Sequence, residues 1–74
     1  MNKDELKKLI RKSLKIKKID DKTSSGNTPE WDSLGHLSIL SALDKTTKGK
    51  TSKLNLSDAD SFEKLFKILK KNKI

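Results

Sequence analysis

The sequence predicts an all-α fold, a small four-helix bundle of three main helices and one short one with a long first loop, in a single domain over residues 1–74. Three observations predict it. Apolar residues recur at helical spacing in three separate stretches, and no stretch alternates apolar and polar residues long enough to build a sheet. The chain is also too short for a second unit: a domain of this size buries roughly 60% of its unfolded surface, so one small core is all it supports.

The first helix is expected over residues 3–16. Leu6, Leu9, Ile10, Leu14 and Ile16 share one broad face at about 100° per residue, with Ser13 among them. Lys7, Lys8, Arg11, Lys12 and Lys15 take the other side, while Asp4 and Glu5 stand in the first turn, where the helix dipole favours acids. Lys17 would fall on the apolar stripe, which sets the end near Ile16.

Residues 20–32 are dense in turn formers and hold the only proline, Pro29, which pushes Thr28 to an extended backbone. Loops longer than about 12 residues are uncommon in compact domains and tend to carry function. Trp31 is placed to pin this one to the core.

The second helix is expected over residues 33–46, with Asp32 or Ser33 as N-cap. Leu34, Leu37, Ile39, Leu40 and Leu43 cover more than half its circumference, so it is expected to be the central helix. Beyond a basic loop at residues 48–53, Ser57-Asp58-Ala59-Asp60 is expected to form the short fourth helix, capped by Ser57. The last helix is expected over residues 61–71 on the stripe Phe62, Leu65, Phe66 and Leu69, with Asp60 and Glu63 spaced as a capping-box-like start and Lys70, Lys71 and Lys73 at the dipole's negative end.

Composition narrows the function. With 31% hydrophobic residues and three aromatics, the chain has little apolar material to enclose a deep substrate cavity, so a binding or carrier module is expected rather than an enzyme. The absence of cysteine excludes disulfides and thiolate metal sites, and a single histidine with no ligand cluster argues against any metal centre. No apolar run approaches a membrane span, and the start, Met-Asn-Lys-Asp-Glu, is charged; a cytoplasmic location is expected.

The formal net charge is +8, unevenly spread. Residues 1–22 carry nine Lys/Arg against four acids and residues 48–74 carry eight against three, whereas residues 23–47 carry one against three. The acidic middle contains the stretch Glu30-Trp31-Asp32-Ser33-Leu34-Gly35-His36-Leu37. A serine at that junction presents a hydroxyl at a helix N-terminus, where free N–H groups and the dipole favour a phosphate.

Asp32-Ser33-Leu34, preceded by a long loop and followed by Leu37, Leu40, Ala42 and Leu43, resembles the motif of the acyl carrier protein family, and the resemblance extends over most of the chain in order and spacing. It implies that Ser33 is the attachment point of 4′-phosphopantetheine taken from coenzyme A, whose thiol holds acyl or aminoacyl groups as thioesters. It further implies that a phosphopantetheinyl transferase installs the arm, that Asp32 helps that enzyme and its metal engage the serine, and that Leu34 fixes the helix start and contacts partners. Loading and transfer enzymes are the other implied partners, and the chain is expected to act as a monomer. The lack of cysteine agrees, since such a carrier must borrow its thiol. His36, one turn from Ser33 and within reach of a phosphate or an arm there, is assigned to the helix surface or to partial packing, with no catalytic role.

One departure stands out. Members of that family are typically acidic, with carboxylates along the second helix; here only Asp44 is clearly acidic there, and Ser38, Lys45 and Thr46 stand where carboxylates are common in the carriers of fatty-acid synthesis. Charge complementarity then implies a specialised pathway with dedicated partners. The rival reading is a small basic helical module that binds nucleic acid or an acidic protein. A helix-turn-helix needs a short turn before a polar recognition helix, and the second helix here follows a long loop and is largely apolar; nucleic acid is not expected as a partner.

Overall fold

The computed structural model describes all 74 residues. Helix α1 spans Lys3–Leu14 and starts at a reciprocal capping box: Asn2 accepts from the Glu5 N–H at 2.8 Å, and the Glu5 carboxylate accepts from the Asn2 N–H at 3.0 Å. It stops two residues before the expected end. Lys15 turns into the left-handed region (φ 57°, ψ 41°), and the N–H groups of Lys15 and Ile16 both return to the Arg11 carbonyl. That reversal lays Ile16 against the core instead of extending the apolar stripe.

Helix α2 spans Ser33–Thr46 and helix α3 spans Phe62–Lys71. The expected bundle of four helices is not formed; the chain has three. Residues 57–60 make turns, because the Ser57 hydroxyl, which was to cap a helix, donates backward to Asn55 Oδ1 at 2.8 Å. The chain then runs extended into an antiparallel bridge between Ser24 and Ser61, flanked by Ser25 N–H to Asp60 O and Phe62 N–H to Thr23 O, both 2.9 Å. The bridge sets the start of α3. Ser61, not Asp60, is its N-cap, accepting from the Lys64 N–H at 3.1 Å, while Asp60 pairs with the Lys64 ammonium.

The centre of the fold also differs from expectation. Helix α1 packs on both α2 and α3, which do not pack on each other. Lys3 lies over the Phe66 ring and Lys7 over Phe62, so α1 and α3 run antiparallel. The buried residues of α2 are Gly35, Ile39 and Leu43, one narrow i, i+4, i+8 stripe; Leu40 packs partly against the core beside it, and Leu34 and Leu37 stay exposed. Trp31, Leu56 and Ala59 complete the core between the helices.

The long first loop is held by its own side chains. Asp20 accepts from the Lys22 N–H, Thr23 Oγ1 accepts from the Asp20 N–H, and Asn27 bonds both the Ser24 N–H and the Lys22 carbonyl. Trp31, only 2% exposed, anchors the end of the loop in the core. Gly35 is the one place where a side chain is sterically barred: a Cβ would lie 2.7 Å from Leu14 Cδ2 and collide with the Glu30 carbonyl. The loop, α1 and the first turn of α2 therefore meet at Gly35, directly beneath Ser33.

Candidate functional site

Asp32 supplies the N-cap of α2, its Oδ1 accepting from the Gly35 N–H at 2.8 Å. This leaves Ser33, the first residue of the helix, exposed and free of the capping role. The N–H groups of Ser33 and Leu34 have no intrahelical acceptors by position, and no acid stands in the first turn. The positive end of the helix dipole thus meets the Ser33 hydroxyl in water, a setting that favours a phosphoester on that oxygen.

Leu34 is 75% exposed and Leu37 61% exposed, and they are the large hydrophobic residues that the fold leaves in solvent. Both flank Ser33 on α2. On one side of Leu37 lies a shallow surface lined by Leu34, Ser38, Ser41, Ala42 and Lys45, in which Lys45 is the single charge. On the other side a groove of about 540 Å³ runs past Ser33, Asp32, Trp31, His36 and Leu40 to Ser25, Ser57 and Asp60. The hydrogen bond from Lys64 foremost holds the Asp60 carboxyl below the usual carboxylate range, so the far wall of this groove stays ionised.

Of the two expected places for His36, the helix surface and partial packing, the structure shows the second. Its Nδ1 lies 3.1 Å from Trp31 Nε1 and its Nε2 lies 2.9 Å from the Leu56 carbonyl oxygen. The indole N–H can only donate and the carbonyl can only accept, so the ring is fixed as the tautomer with hydrogen on Nε2. Both nitrogens are thereby occupied, and His36 offers Ser33 no free lone pair for activation. Nor do three His, Cys, Asp or Glu side chains converge as a metal-binding group anywhere in the chain.

No family model, characterised protein or solved structure matches the chain. The site is therefore read from its own geometry. Of the three residues singled out in sequence, the structure makes Asp32 the cap, Ser33 the exposed hydroxyl and Leu34 an exposed apolar neighbour, all on one turn. Sequence reasoning missed the bridging role of His36 and the contribution of Ser25, Ser57 and Asp60 to the groove. Spacing gave a partial signal for the first, since Trp31 and His36 straddle a helix start; nothing local marks Leu56 as the second acceptor.

A second groove adjoins the first through the Asp60–Lys64 pair. Lys3, Lys22, Lys64, Lys67 and Lys70 line a groove between α1 and α3, with Asp21 and Glu63 as its acids. Asp21 receives Lys7 at 2.6 Å and Lys3 at 3.4 Å. The Lys7 hydrogen bond, above all, holds the Asp21 carboxyl below its ordinary range, and Asp21 in turn raises Lys7. No helix is long and apolar enough to cross a membrane.

Proposed function

We propose that this chain is a carrier protein that holds acyl or aminoacyl cargo as a thioester on a 4′-phosphopantetheine arm joined to Ser33. The observation that carries the reading is the exposed Ser33 at the N-terminus of α2, released from capping by Asp32 and flanked by the solvent-exposed Leu34 and Leu37. A modifying enzyme needs a reachable hydroxyl and a surface to grip, and both lie on one turn. The groove beside Ser33 gives a flexible arm an apolar wall, Trp31, Leu37 and Leu40, to lie against.

In this reading the chain performs no chemistry of its own. A hydroxyl without a neighbouring base is a poor nucleophile, so a separate phosphopantetheinyl transferase supplies the activation and coenzyme A supplies the arm. Asp32 fixes the helix start from which Ser33 projects, and Leu34 and Leu37 present the contact surface. With Lys45 the only charge on the shallow apolar surface of α2, partners with an acidic rim fit better than partners shaped for an acidic carrier. A dedicated set of loading and transfer enzymes in a specialised pathway follows.

Intact-mass spectrometry after incubation with coenzyme A and a broad-specificity transferase tests the reading. The wild type should gain the mass of one arm and Ser33→Ala none. An unchanged wild-type mass, or a gain retained by Ser33→Ala, would overturn it.

The basic groove between α1 and α3 favours a second reading, a module that binds nucleic acid or an acidic protein, since the eighteen Lys/Arg of the chain form only three ion pairs. A salt-dependent mobility shift with duplex DNA or RNA would support it.

A further inference from the structure

We propose that His36 is a positioning residue that works as a proton-released clamp: neutral, it ties the Trp31 loop and the Leu56 segment to the first turn of α2, and protonation frees Trp31 and opens the groove beside Ser33. The clamp stands whether or not Ser33 carries an arm; only its use in presenting that arm rests on the carrier reading.

The His36 ring makes two hydrogen bonds, one through each nitrogen. Trp31 Nε1–H points at His36 Nδ1 with the ring planes inclined by 23° and the centroids 6.3 Å apart, so the indole N–H lies near the imidazole plane, where the nitrogen lone pair is. A proton added to Nδ1 would set two N–H groups head to head across 3.1 Å, and that bond must break. The bond from Nε2–H to the Leu56 carbonyl responds in the opposite sense, because a charged donor strengthens it. Release is therefore one-sided: the imidazolium stays with Leu56, and the indole lets go.

Trp31 is nearly buried, so its N–H cannot exchange its partner for water in place. The indole has to shift, and it belongs to the residue next to Asp32, the cap of α2, and two residues before Ser33. The charged groups facing this groove are Asp32 from the end of the first loop and Asp60 from the segment ahead of α3; α2 contributes Leu37 and Leu40 besides His36, and no cation lines it. Asp60 is partly engaged by Lys64, and Asp32 by the Gly35 N–H.

The chain contains one histidine and one tryptophan, which makes the clamp directly observable. The test is a titration of the uniformly ¹⁵N-labelled full chain from about pH 8 to about pH 5, the range in which histidine side chains change charge, following the His36 ring nitrogens and the Trp31 indole N–H. At the upper end the ring should show a protonated Nε2 and a bare Nδ1. As the ring gains its second proton, the indole resonance should move with the same midpoint, and indole protection from hydrogen exchange, taken relative to free tryptophan at the same pH, should fall roughly tenfold, the scale set by losing one buried hydrogen bond. His36→Gln, checked for helicity by circular dichroism, should remove the pH response of Trp31. A protonated Nδ1 at the upper end, an indole signal that ignores the ring's titration, or a Trp31 response retained in His36→Gln would each overturn the proposal. Should His36→Gln fail to fold, the wild-type titration decides alone. None of these measurements needs coenzyme A, so their failure is distinct from failure of the carrier reading.

Discussion

Helices α1 and α2 divide the work of the molecule between them. Helix α1 buries Leu6, Ile10 and Leu14 and carries five Lys and Arg residues on its remaining surface, Lys3, Lys7, Lys8, Arg11 and Lys12; it touches both other helices. Helix α2 is richer in apolar residues and nearly devoid of charge, yet its buried stripe has the same i, i+4, i+8 spacing, with Gly35 in place of a third large side chain, and it gives Leu34 and Leu37 to solvent. The more hydrophobic helix is thus the one that leaves large apolar side chains in solvent. In the carrier reading this exposed apolar surface serves a partner, and the same helix presents Ser33.

The contrast makes its largest prediction for stability. Ile10→Ala on α1 should cost about 2–5 kcal/mol, enough to unfold much of so small a domain. Thermal and urea unfolding read this directly. Leu37→Ala on α2, with equal or greater loss of apolar volume, should cost less than about 0.5 kcal/mol; equal losses at the two sites would erase the distinction.

The junction of the helices comes next. Gly35→Ala forces a methyl group against Leu14 and the Glu30 carbonyl and should cost about 1–3 kcal/mol. A smaller loss, about 1 kcal/mol, is expected for Asp32→Ala, which removes the cap while leaving the Ser33 hydroxyl in place. In the carrier reading this variant should still accept the arm, more slowly, whereas Ser33→Ala keeps its stability and accepts nothing.

The smallest effect belongs to the surface ion pairs. The carboxyls of Asp21 and Asp60 lie below their ordinary range, so their pairs contribute stability that is full above about pH 4, the unfolded aspartate value, and lost as pH falls through the lower folded values. Lys7 is raised, so its share is full below about pH 10 and lost as pH rises through its folded value. These pairs are largely exposed and screened by salt. Asp21→Asn should therefore flatten the acid limb of the stability profile slightly and leave neutral-pH unfolding nearly unchanged.

How far the sequence disclosed all this depends on the kind of information each feature needs. The three long helices were legible because periodicity is local, and the bounds of α2 were met at both ends. The early end of α1 was not legible: glycine is the usual sign of a left-handed cap, and here Lys15 takes that conformation so that Ile16 can reach the core. The missing fourth helix has a similar cause, since Ser57 had two possible partners and the backward one, Asn55, won. The central position was misassigned to α2 because counting apolar residues cannot tell a core-facing leucine from one left in solvent. At the site, Asp32, Ser33 and Leu34 were readable as a run, whereas the His36 bridge depends on Leu56, twenty residues away, and could only come from the fold.

The measurement that bears most directly on the central claim is the intact mass of this chain purified from the cells that make it, followed by fragmentation to locate any added group. The carrier account predicts a population bearing one 4′-phosphopantetheine, placed on Ser33. A chain that is unmodified throughout, or modified at a different residue, would contradict it.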